Sequence, residues 1–168
     1  MRYHFSYDSE IGKICLMEEN GAITHMHFLA PTDEFRRETA DRRTAEMMIE
    51  DMTEERETDL IKKAWTELQE YLAGTRKDFD IPLAPRGTEF QKKVWKALLE
   101  IPYGETRTYK DIAERCGNAK ACRAVGMANN RNPISVFIPC HRVVGANGKL
   151  VGYGGGLSVK EKLLELEK

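Results

Sequence analysis

The sequence is poor in the features that define several large classes of protein. Its four cysteines, Cys15, Cys116, Cys122 and Cys140, are too few for the disulfide framework of a small secreted domain. A reducing, cytoplasmic compartment is therefore the default. No apolar run approaches the ~18 residues that a membrane-spanning helix needs. The stretch Met1–Tyr7 is polar and aromatic, without the apolar core of a signal peptide. Net charge is also nearly absent, at −1 over 168 residues. What is present is ordinary for a globular protein, with 41% hydrophobic and 32% charged residues. That balance excludes disorder, collagen and coiled coil as descriptions of the whole chain.

The small net charge hides a division. Residues 1–85 carry 11 Lys/Arg against 19 Asp/Glu, whereas residues 86–168 carry 15 against 8. An acidic half joined to a basic half indicates two domains, and a polyanion partner for the second. Two oppositely charged surfaces docked on each other would leave the same trace. Phe79–Gly87 contains Pro82 and Pro85 and has no helical period, which marks a break. The organisation predicted is a domain over 1–80, a linker over 81–87 and a second domain over 88–168.

The first domain reads as α/β, a small antiparallel sheet plus a helix. Tyr3, Phe5 and Tyr7 alternate with polar residues at strand period, Ile14–Met17 is a second apolar run, and Asn20-Gly21 is a hairpin turn leading into Ala22–Phe28. Residues 32–58 are densely charged, with Met47, Met48 and Ile49 as the seed of a short helix. Thr58–Ala73 places Leu60, Ile61, Ala64, Trp65, Leu68, Tyr71 and Leu72 on one helical face, with Thr58 or Asp59 and Gly74 as end signals. The second domain reads as mainly helical. Thr88 caps a helix to Glu100, Thr108–Arg115 and Lys120–Asn129 are short helices around the Gly117-Asn118 turn, and Val159–Glu167 is the last helix. Helix, glycine turn, helix is the helix-turn-helix pattern, although tight packing of two small-residue helices looks the same.

The segment richest in chemistry is Asn132–Val143. An apolar run, Ile134–Ile138, leads to Pro139 and then Cys140, His141 and Arg142. A thiol acts as a nucleophile only as the thiolate, and a histidine base or a cationic neighbour is a known means of producing one. A buried structural cysteine beside a surface histidine fits the same dipeptide. On extended backbone, adjacent side chains point to opposite faces. His141 therefore reaches the sulfur only if the chain turns there or a water bridges the gap, and Arg142 would point away from His141.

Pro139-Cys140-His141-Arg142-Val143-Val144 resembles the active-site signature of the O6-alkylguanine-DNA alkyltransferases (methylated-DNA–protein-cysteine methyltransferases). The resemblance runs through 86–168, in Gly87-Thr88-Glu89-Phe90-Gln91, Val94–Leu98, Ile101–Gly104, Arg123–Gly126, Asn132-Pro133 and Gly152-Tyr153. In the first half it is loose, through Asp8-Ser9, Gly12-Lys13 and the helix before the linker. It implies a ribonuclease-H-like α/β domain followed by a helix-turn-helix domain. It also implies direct-reversal DNA repair: irreversible, single-use transfer of an alkyl group from O6 of guanine, and less surely O4 of thymine, to Cys140. His141 would take the thiol proton through a water, Glu167 would orient His141, and Asn132 would brace the site. The base is extruded from the duplex. By resemblance Tyr109 drives the flip and Arg123 fills the gap, while Val143, Tyr153 and Gly154 form the base pocket. The partner implied is double-stranded DNA bound from the minor groove without sequence preference, by a monomer, with no cofactor, no metal and no membrane.

Two departures from the family pattern bear on the site. Many relatives carry Ser or Arg where this chain has Gly154, so only a backbone N–H remains there for O6. The zinc ligands of vertebrate relatives are not matched, leaving His4, Cys15, His25 and His27 as a chance cluster. A non-enzymatic binder of alkylated bases would lack the cysteine, a transcriptional switch would need a further domain, and a Cys-His-Glu hydrolase would turn over repeatedly.

Overall fold

The protein is described by a computed structural model at residues 1–29, 53–153 and 155–168. The charged stretch with Met47, Met48 and Ile49 lies mostly outside the described residues, as does Gly154. The chain divides into two compact units, Met1–Ala84 and Pro85–Lys168. The division falls within the proline-bearing segment predicted as a linker. Part of that segment is tied down in the first unit: Ile23 N–H donates to the Pro82 carbonyl at 2.9 Å and Ala84 N–H to the Ile23 carbonyl at 2.8 Å.

The first unit is built on strands β1 (Arg2–Ser9), β2 (Gly12–Glu19) and β3 (Ala22–Phe28), which pair antiparallel. Asn20 and Gly21, with φ of 52° and 78°, make the predicted hairpin turn, where glycine tolerates positive φ. The sheet is not wholly antiparallel. A short strand, β4 (Glu54–Glu55), adds in parallel to β1, giving the order β3-β2-β1-β4. Helix α1 (Asp59–Leu72) starts at Thr58, whose hydroxyl accepts from Ile61 N–H at 3.1 Å. It buries Ile61, Ala64, Leu68 and Tyr71, each apolar side chain worth roughly 1.5–3 kcal/mol when fully removed from water. Tyr7 stacks on Trp65 with ring centroids 4.5 Å apart, so the β1–β2 face carrying Tyr7 and Ile14 meets this helix.

In the second unit α2 (Glu89–Leu99) and α3 (Tyr109–Arg115) each begin with a reciprocal capping box, Thr88 with Gln91 and Thr108 with Asp111. Each pair satisfies two backbone or side-chain groups at once. Helix α4 (Cys122–Asn130) follows α3 across a turn in which Gly117 takes φ of 90°. The helix-turn-helix is thus α3 and α4. Buried Trp95 of α2 donates its indole N–H to the Ala128 carbonyl of α4 at 2.9 Å, fixing α4 against the core. Strands β5 (Arg107–Thr108) and β6 (Val143–Val144) pair in parallel, and α5 (Leu157–Leu166) ends on Glu167. Among the described residues no helix is long and apolar enough to cross a membrane.

Candidate active site

The apolar run before the cysteine is not a strand. Val136 has φ of 72°, a left-handed conformation rare for a β-branched residue, and Phe137 N–H donates to the Ser135 carbonyl at 2.9 Å. This is a γ-turn centred on Val136. Its strain, about 1–3 kcal/mol, is offset by the burial of Ile134, Val136, Phe137 and Ile138. Asn132 clamps the turn from both sides. Its amide N–H donates to the Ile138 carbonyl at 2.8 Å and its oxygen accepts from Ile134 N–H at 3.0 Å.

The signature then folds into a 3₁₀ turn, Cys140–Arg142. A turn here is one of the two alternatives that the sequence left open. Arg142 does not point away from His141, because the turn brings both onto one carboxylate. His141 Nε2 lies 3.2 Å from Glu167 Oε1, and Arg142 places Nε 3.0 and 3.1 Å from the two Glu167 oxygens and Nη2 2.5 Å from Oε1. The remaining Arg142 arm donates to the Ile101 carbonyl at 2.7 Å. Glu167 itself caps α5 rather than lying within it.

Burial governs the protonation states. Cys140 is 4% exposed and His141 fully enclosed. Burial pushes the Cys140 thiol up to about 11. The Asn132 amide, the Lys160 ammonium and the backbone N–H groups of Cys140 and His141 work against that shift by favouring the thiolate. Burial likewise lowers the His141 pKa, with Glu167 opposing and the charges of Arg142 and Lys160 adding to the fall. His141 is therefore neutral at pH 7. For Glu167, burial acts to raise the pKa, but the hydrogen bonds and charges of His141 and Arg142 prevail and hold the carboxyl at about 2. A neutral histidine anchored by a permanent carboxylate, next to a thiol that stays protonated without help, can serve as a base.

Lys160 had no part in the sequence reading and is at the centre of the site. Its ammonium is inaccessible to solvent and donates to the Val143 carbonyl at 2.7 Å and to the Val151 carbonyl at 2.9 Å. Burial lowers its pKa and Cys140 acts to raise it. The one available signal was its position on α5 between Val159 and Leu163, on the helix's buried face. Tyr109 donates its hydroxyl to that same Val151 carbonyl at 3.2 Å. Cys140, Asn132, His141, Val143, Tyr109 and Glu167 are thus gathered in one region, and Tyr153 follows two residues after Val151. Arg123 stands apart, exposed on the first turn of α4, with no hydrogen bond or ion pair among the described residues. Among the described residues no group of three or more His, Cys, Asp or Glu is placed to hold a metal.

Residues 1–85 match the family described as 6-O-methylguanine DNA methyltransferase, ribonuclease-like domain, and residues 89–168 match its DNA-binding domain. The chain belongs to this methyltransferase family. It is 48% identical over 165 residues to the methylated-DNA–protein-cysteine methyltransferase of Methanosarcina acetivorans, covering 98% of this chain and 97% of the relative. The constitutive methylated-DNA–protein-cysteine methyltransferase of Bacillus subtilis is 44% identical over 170 residues, 100% of this chain and 96% of its own. The crystal structure of Mycobacterium tuberculosis O6-methylguanine methyltransferase superposes with a TM-score of 0.83 at 43% identity, covering 99% of this chain and 93% of that one. A Mycobacterium tuberculosis structure described as OGT in complex with DNA gives 0.82 at 42% identity, over 98% and 92% of the two chains. The activity of the family is direct-reversal repair, alkyl transfer from DNA to a protein cysteine.

Proposed function

We propose that this methyltransferase removes alkyl groups from O6 of guanine in double-stranded DNA by transferring them, once per molecule, to Cys140. The observation that carries the assignment is the buried contact between His141, which shares its 3₁₀ turn with Cys140, and Glu167, 3.2 Å away on the last helix's cap. His141 takes the thiol proton, directly or through a water. The sulfur attacks the alkyl carbon, the S–C bond forms as the C–O6 bond breaks, and the electron pair passes into the guanine ring, which regains a proton. The product is a thioether with no leaving group, so the reaction ends there. Glu167 stabilises the imidazolium, Asn132 and Lys160 favour the thiolate, and Arg142 fixes the carboxylate.

The base has to leave the stack to reach a sulfur this deeply enclosed. Exposed Arg123 is the side chain suited to fill the vacated position, with Tyr109 assisting extrusion and Val143, Tyr153 and Gly154 lining the base. The protein acts as a monomer in the cytoplasm, on the minor groove and without sequence preference, and needs no cofactor. Mass spectrometry after mixing with a methylated duplex tests the assignment. One added CH₂ on the Cys140 peptide and none on Cys116 or Cys122 is the expected result. Repeated turnover, or methylation elsewhere, would replace this reading with a hydrolase or a different acceptor.

A further inference from the structure

Asn129 of α4 is 3% exposed, and its side-chain oxygen has no hydrogen-bond partner among the described residues. Native folds leave few buried acceptors unpaired, and those that persist often serve function. Its position on the helix is defined. At 3.6 residues per turn, residues 129 and 130 flank residue 126. A Cβ on Gly126 would lie 3.9 Å from the Tyr109 ring, and the Asn130 amide lies 3.1 Å from where a Cβ on Gly152 would stand. The Asn129 carbonyl accepts from Asn132 N–H at 3.3 Å. This part of α4 therefore adjoins Tyr109, the segment leading to Tyr153, and Asn132.

We propose that the Asn129 side-chain oxygen accepts a hydrogen bond from the exocyclic 2-amino group of the extruded O6-alkylguanine, making Asn129 a specificity-determining residue. The inference rests on the function proposed above. Alkylation at O6 leaves N1 unprotonated, so the 2-amino group carries the only N–H donors on the base. O4-alkylthymine has none, since its N3 is likewise unprotonated and its N1 carries the sugar. An acceptor waiting in the pocket is satisfied by the guanine lesion and left dry by the thymine lesion. A site built around such a bond discriminates against a substrate lacking the donor.

The test uses the full-length protein in single turnover on duplexes carrying O6-methylguanine, O6-methylhypoxanthine (which lacks the 2-amino group) or O4-methylthymine. The wild type should repair O6-methylguanine about tenfold faster than either other lesion, the loss expected for one buried hydrogen bond. Asn129→Leu should lose that factor on O6-methylguanine alone, bringing its rates on guanine and hypoxanthine together. Asn129→Asp, which keeps an acceptor, should restore the preference. Equal wild-type rates on the two purines, or an equal loss on both in Asn129→Leu, would overturn the proposal. A wild type that methylates Cys140 from none of the three would instead overturn the underlying function.

Discussion

His141 and Cys140 have pKa values moved in opposite directions by the same enclosure, which makes the thiol dependent on the base. In His141→Gln the reactive thiolate comes from direct ionisation. With the thiol held at about 11, its rate should rise roughly tenfold per pH unit up to that point. The wild-type rate should be nearly flat from pH ~7 to ~9, because His141 is already neutral there. Single-turnover rates across that range check this, and matching profiles would remove His141 as the base. The two profiles should therefore converge well above the free-thiol value of about 8.5, because burial carries the Cys140 thiol upward. Glu167 gives a second test. Its folded pKa of about 2 lies below the ordinary 4.5, so its stabilising contribution is complete above pH 4.5 and is lost as pH falls toward 2. Glu167→Gln should slow transfer. It should also lower stability in urea at pH 7 by on the order of 3 kcal/mol, because Arg142 keeps a buried charge with only a neutral partner. The gap from wild type should close as the solution is acidified.

Among the secondary elements, the helices and the Gly117 turn between α3 and α4 were legible, and the turns around Val136 and Cys140 were not. Thr58, Thr88 and Thr108 announced their helices through a polar cap and a 3.6-residue apolar period, and all three hydroxyls accept the N3 amide. The Arg142–Glu167 contact joins residues 25 apart and exists only because the chain turns at Cys140. Extended backbone would have pointed Arg142 away from His141. The γ-turn was hidden because Val136 is a residue that ordinarily argues for extended chain. Its strain makes a distinctive prediction: Val136→Gly relieves about 1–3 kcal/mol of backbone cost while losing a comparable amount of burial, so stability should hardly change. Val125→Gly, fully buried in a regular helix, should cost about 3 kcal/mol. Chemical unfolding of the pair checks this. Lys160→Met removes the bridge between β6 and the segment carrying Val151. It should destabilise the protein by on the order of 3 kcal/mol and slow Cys140 alkylation by DNA more than by iodoacetamide, since only the former needs the base pocket formed.

For the whole molecule, the division of charge matters more than its total. The unit boundary at Ala84/Pro85 leaves the acidic and basic residues on opposite sides, 11 Lys/Arg with 19 Asp/Glu before it and 15 with 8 after it. A nearly neutral protein should therefore still bind DNA with strong salt dependence. Affinity should fall steeply between about 50 and about 200 mM salt, with a slope set by the phosphates contacted. A flat titration would show that the basic half does not meet the backbone. Arg123→Ala should slow repair in duplex while leaving the free O6-alkylguanine base unaffected, since the free base needs no extrusion. Equal losses would place Arg123 in the chemistry or the fold.

The indole of Trp95, locked to the carbonyl of Ala128 in the helix-turn-helix, also gives the molecule a built-in optical reporter. Only one other tryptophan exists, Trp65, and it lies in the other unit, stacked on Tyr7. Emission from each can be isolated by a single Trp→Phe change. Trp95 should fluoresce at short wavelength from its enclosed position and shift when α4 loosens. Trp65 should report the first unit alone, so each unit's unfolding can be followed separately, without labels.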